Sequence, residues 1–93
     1  MVILEGEIDT ASAPRVASRL SAGLAAAVRR LDIDLSAVTF IDSSGLTVLI
    51  VAARQAEVTG VEFHIVAASA AVRRTVALSG LGETLGVSEE ELS

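Results

Sequence analysis

The chain contains no cysteine, no tryptophan, no tyrosine and no lysine. Without cysteine there can be no disulfide, no thiolate nucleophile and no cysteine-ligated zinc, a usage compatible with a reducing compartment. Every one of its seven cationic side chains is an arginine, and against them stand 12 acids, for a formal charge of −5. That balance excludes a broad basic surface for nucleic acid or anionic membrane, and makes a protein partner or a cationic patch the expected counterpart. Long hydrophobic runs are missing too. The longest, Leu46 to Ala53, is interrupted by Thr47 and stops at Arg54, far short of the roughly 20 residues of a membrane span. The amino terminus lacks a positive leader and reaches Glu5 and Glu7 at once, unlike a signal peptide. A soluble, cytoplasmic protein without membrane insertion is expected.

What is present is aliphatic. Of 93 residues 52% are hydrophobic, with only two phenylalanines, so residues 1–93 are read as a single domain with a core of Val, Leu, Ile and Ala layers. Val2 to Glu7 reads as a strand. Asp9, Thr10 and Ser12 then form a polar break before Pro14, which suits the first turn of a helix. Val16, Leu20, Leu24, Ala27 and Val28 mark one face of that helix, predicted to end near Arg30, where two arginines meet the negative end of the dipole. Leu31, Ile33 and Leu35 alternate with Asp32 and Asp34 as a second strand. Helix two runs from Ser43 or Ser44 to about Thr59, stopped by Gly60. Val61, Phe63 and Ile65 make strand three. Ser69 caps a third helix carrying Val72, Val76 and Ala77, which Gly80 and Gly82 end. Leu85 and Val87 give a possible last strand, and Ser88 to Glu91 a capping box. The alternation implies an α/β fold with a largely parallel sheet, right-handed crossovers and sites gathered at strand carboxyl ends, where Asp9 and Asp42 both fall.

The run Phe40-Ile41-Asp42-Ser43-Ser44-Gly45-Leu46 places two hydroxyls and a carboxylate where an apolar strand gives way to the helical spacing of Leu46, Leu49, Ile50 and Ala53. Ser43 is the N-cap candidate, its oxygen taking the first free N–H groups. A solvent-facing serine at the positive end of a helix dipole is also well placed to carry a phosphate. Capping and phosphorylation both stay open for Ser43 from these residues alone. Ser44 is a second cap or a minor acceptor, and Gly45 leaves room for close approach. Asp42 is by default a solvated loop acid. It is similar in position to the phosphoacceptor of response-regulator receivers, but that chemistry needs a later lysine, and there is none.

Enzyme chemistry finds little support. A nucleophile elbow needs glycines two residues either side of its serine, and neither Ser43 nor Ser44 has them. His64 lies mid-strand between Phe63 and Ile65, a structural or solvent-facing position. Phosphate loops and metal-ligand clusters are absent, so no cofactor is expected. Arg73-Arg74 reads as a solvated helix face.

The chain resembles a STAS domain, the module shared by anti-sigma-factor antagonists and the cytosolic tails of sulfate transporters. The resemblance rests on Gly6-Glu7-Ile8-Asp9, on Asp34 through Leu46 with its Asp42-Ser43-Ser44-Gly45 centre, on Gly60 before a strand, and on Val72 to Leu81. It implies a STAS-like mixed, largely parallel four-stranded sheet with helices packed on it. The family usually carries one more strand ahead of Val2, so the first family strand is expected to be missing and the first strand here to have an unpaired edge. The resemblance further implies an anti-sigma-factor antagonist, not an enzyme. Ser43 would be phosphorylated by a serine kinase that is also the anti-sigma factor, and a serine phosphatase would reset it. The unphosphorylated form binds the kinase and frees a sigma factor for transcription. Asp9, Asp42, Ser43, Ser44, Gly45 and Leu46 would form the partner face. The alternative is a non-switching STAS structural subunit or transporter-associated STAS domain in which Ser43 only caps helix two.

Overall fold

The computed structural model describes residues 1–27 and 29–80. They alternate as β1 (Val2–Ile8), α1 (Ala13–Ala26), β2 (Arg30–Ile41), α2 (Ser43–Thr59), β3 (Glu62–Ala68) and α3 (Ala70–Ser79). The strands lie in the order β1-β2-β3, and both pairings are parallel. This is the expected α/β architecture with three strands among the described residues. The fourth strand and capping box expected beyond Leu81 lie outside them. β1 pairs only with β2, so its other edge carries no strand among the described residues.

Burial follows strand alternation. Val2, Leu4 and Ile8 are buried while Ile3, Glu5 and Glu7 are exposed, and Leu31, Ile33 and Leu35 are buried between the half-buried Asp32 and Asp34. One continuous core joins these to Val16 and Leu20 of α1, Leu46, Leu49, Ala52 and Ala56 of α2, and Val72 and Val76 of α3. α2 turns Gly45, Leu49, Ala52 and Ala56 inward at helical spacing, and the small Gly45, Ala52 and Ala56 let its axis approach the sheet. On α1 the same is done by Gly23, where an added Cβ would stand 2.8 Å from Val2 Cγ2.

Several local signals act as the sequence suggests. Pro14 lies in the first turn of α1. Gly60 closes α2 at φ 76° and Gly80 closes α3 at φ 72°, left-handed positions that glycine fills without a Cβ penalty. Ser69 Oγ accepts the Val72 N–H at 3.2 Å as the α3 cap. Two boundaries differ. α1 ends at Ala26, not near Arg30, because the arginines are drawn to the sheet: Arg29 O, just before β2, accepts from Glu62 N at 2.7 Å, and Arg30 opens β2, pairs with Glu62 and bonds Asp32. β2 is 12 residues long, well past Leu35, because its second half continues to pair with β1 after its pairing with β3 has ended. α3 packs beside that second half. Ser69 N donates to Leu35 O at 3.1 Å, and Thr75 Oγ1 to Ile41 O at 3.4 Å.

Candidate functional site

The carboxyl ends of β1 and β2 meet side by side, with Ile8 paired to Ile41. An aspartate follows each. The chain leaves β1 through a tight turn fixed by Asp9, whose carboxylate accepts Ser12 N at 3.0 Å and whose carbonyl accepts Ala13 N at 2.8 Å. Ser12 Oγ in turn accepts Asp9 N at 2.9 Å, so this serine stands at the head of α1 but caps no helix amide with its side chain. The Ser12 backbone N–H, aided by the Ser12 hydroxyl, holds the Asp9 carboxyl below its ordinary value of 3.8, since hydrogen bonds to a carboxylate favour its charged form.

At the end of β2 the cap is Asp42, not Ser43. Asp42 is in extended conformation, and one carboxylate oxygen accepts both Ser44 N at 2.9 Å and Gly45 N at 3.2 Å. Asp42 O accepts Leu46 N at 3.0 Å, and Asp42 N donates across to Ile8 O at 3.2 Å. That last bond fixes the choice, because it holds Asp42 as an extension of the sheet and starts the helix one residue later. The amides expected to receive a phosphate at the helix head are therefore already taken by a carboxylate.

Freed from capping, Ser43 is the first residue of α2. It is exposed, and its hydroxyl makes no hydrogen bond among the described residues. Ser44 is half-buried, and its Oγ lies 3.0 Å from Thr10 Oγ1, a bond that joins the β1–α1 turn to the head of α2. Gly45 and Leu46 face inward: Leu46 is buried in the core, and a Cβ on Gly45 would come within 2.7 Å of both Ile8 Cγ2 and Ile41 Cγ1. They shape the corner from beneath. The outward surface is made by Asp9, Thr10, Asp42, Ser43 and Ser44. Thr10 is the member the sequence reading passed over, because its partner lies 34 residues away.

The corner is acidic. Among the described residues the Arg30–Asp32 ion pair and the His64–Glu62 contact at 3.4 Å lie on the strands away from it, and neither Asp9 nor Asp42 is neutralised by a paired cation. A groove of about 630 Å³ between the C-terminal halves of α1 and α2, lined by Leu24, Val51, Val58 and Val61, sits at the far end of α2 and takes no part in the corner. No described helix is long and apolar enough to cross a membrane.

A family model described as STAS domain matches residues 1–91. The chain is a STAS domain. Among solved structures, the domain is similar to the crystal structure of an anti-sigma factor antagonist from Mycobacterium paratuberculosis, with 35% identity and a TM-score of 0.80 over 91% of this chain and 72% of that one. In this STAS domain the exposed hydroxyl of the Asp42-Ser43-Ser44-Gly45 motif belongs to Ser43, and the buried contacts belong to Gly45 and Leu46.

Proposed function

We propose that the domain is an anti-sigma-factor antagonist whose docking is switched by phosphorylation of Ser43. Its partner is an anti-sigma factor that is also a serine kinase, a serine phosphatase restores the free hydroxyl, and the outcome is regulated transcription in the cytoplasm. The domain is a binder and a substrate, without catalysis of its own. The family and the antagonist of similar structure support the general role. The observation that carries the switch is the hydroxyl of Ser43, exposed and unbonded at the rim while its neighbours Asp42, Ser44 and Ser12 are each engaged.

The physical effect follows from the occupied cap. A phosphate on Ser43 adds about −1.5 to −2 charge, and the amides of Ser44 and Gly45 that could stabilise it are already bonded to Asp42. The new charge stands next to Asp42 at the acidic corner, where no cation among the described residues is paired to offset it. Fold and core are untouched. A partner surface closing over the rim must desolvate that charge, and unfavourable juxtaposition costs on the order of several kcal/mol, with each ~1.4 kcal/mol worth tenfold in affinity. The unmodified rim, acidic and rich in hydroxyls, favours a partner surface that presents cations and N–H donors.

The test compares binding of the partner kinase to the parent, Ser43→Ala and Ser43→Asp, together with phosphorylation of each. Ser43→Ala should bind as the parent does and lose most of its phosphorylation, and Ser43→Asp should bind at least tenfold more weakly. Equal affinities with undiminished phosphorylation of Ser43→Ala would refute the reading. A Ser43 that is never phosphorylated leaves the motif as a helix start alone.

A further inference from the structure

We infer that Thr10 determines which of the two adjacent serines is the phosphoacceptor, by holding the Ser44 hydroxyl and leaving Ser43 free. The inference rests on the reading of Ser43 as the acceptor and extends it to a residue on a different element. Two serines in succession at the head of α2 present a kinase with nearly the same local chain, and the difference between them is made elsewhere in the fold. Ser43 is exposed with an unbonded hydroxyl, whereas Ser44 is half-buried with its Oγ 3.0 Å from Thr10 Oγ1.

Phosphoryl transfer needs the acceptor oxygen to aim a lone pair at the γ-phosphorus of ATP. The new O–P bond forms as the bond from that phosphorus to the ADP oxygen breaks, and the hydroxyl proton passes to the base of the kinase. Ser43 can rotate to do this at once. Ser44 must first break its bond to Thr10 and turn outward. Thr10 does not simply follow it, because the turn on both sides is pinned: Asp9 is tied to Ser12 through backbone and side chain, and Ala13 N is tied to Asp9 O. Breaking one neutral hydrogen bond sets the size of the preference, on the order of severalfold to tenfold.

Thr10 is exposed, so Thr10→Val keeps the shape, removes the hydroxyl and leaves the core intact, while Thr10→Ser keeps a hydroxyl in place. The parent, both variants and each in a Ser43→Ala background are incubated with the partner serine kinase and Mg-ATP, and the phosphate is assigned by fragment mass spectrometry. Expected are phosphate mainly on Ser43 in the parent and in Thr10→Ser, with Ser44 labelled severalfold to tenfold less, and a severalfold to tenfold faster labelling of Ser44 in Thr10→Val, most visible when Ser43 is alanine. Phosphate on Ser43 in the parent with no gain at Ser44 in Thr10→Val overturns the role of Thr10 and leaves the switch standing. Equal labelling of both serines in the parent overturns the role of Thr10 as well. Absence of phosphate from both serines in every variant overturns the switch, and the selection with it.

Discussion

Replacing Gly45 with alanine adds one methyl group where, among the described glycines, a Cβ has the least room. The new Cβ would stand 2.7 Å from Ile8 Cγ2, 2.7 Å from Ile41 Cγ1 and 3.1 Å from Ile8 O. Neither isoleucine can readily give way. Both are buried, at 1% and 4% exposure, both are β-branched and stiff at χ1, and the Ile8 carbonyl is held by the amide of Asp42. Overpacking of this kind costs about 1–3 kcal/mol. Alanine's advantage over glycine within a helix returns up to about 1 kcal/mol. The net expectation is a loss of about 1–2 kcal/mol, which for a domain of this size lowers Tm by roughly 5–15 °C. With no tryptophan or tyrosine in the chain, the measurement is urea unfolding followed by far-UV circular dichroism, with the slope of the transition unchanged and its midpoint lowered. A variant as stable as the parent, or more so, would show that α2 can lift from the strand ends without cost. It would remove the close approach as the reason for glycine.

Two further outcomes follow from the same corner. Asp42→Ala deprives Ser44 N and Gly45 N of their shared acceptor, an expected loss of about 0.5–2 kcal/mol, while Ser43→Ala should lie within about 0.5 kcal/mol of the parent. The reverse order in urea midpoints would return the cap to Ser43. As for pH, Asp9 is held below its ordinary value of 3.8 by the Ser12 N–H, and Asp34 likewise by the Ser36 hydroxyl and then the Ser36 N–H. A lowered folded value means that the unfolded chain takes up protons first, so both contributions are complete above 3.8 and disappear as pH falls through the folded values. Unfolding midpoints should decline below about pH 4, and Asp34→Asn should make that decline shallower. A stability that is flat or rising on acidification would contradict it.

The order of elements was legible because its signals are local: Pro14 at a helix entry, Ser69 as a cap, Gly60 and Gly80 as stops, and alternation through Leu31, Ile33 and Leu35. The placing of Ser43 on an exposed strand-to-helix corner was legible for the same reason. The cap was not. Asp42 and Ser43 are both good caps, and what separates them is the bond from Asp42 N to Ile8 O, between residues far apart in the chain. Arg29 and Arg30 suit a helix terminus by charge, yet Arg30 opens β2 opposite Glu62, and the carbonyl of Arg29 just before it accepts from Glu62 N. The inward orientation of Gly45 and Leu46, and the bond between Thr10 and Ser44, likewise exist only once β1 and β2 lie side by side.

The central position of β2 has a bearing on how the chain assembles. Its neighbours are both parallel to it, and partners such as Val2 and Ile33, or Arg30 and Glu62, are roughly thirty residues apart along the chain, so neither of these ladders closes as a local hairpin. Each pairing has to wait for a whole helical crossover, and both wait on the same strand. Folding of these elements should accordingly be slow for their size and all-or-none, since without β2 neither β1 nor β3 has a described strand to pair with.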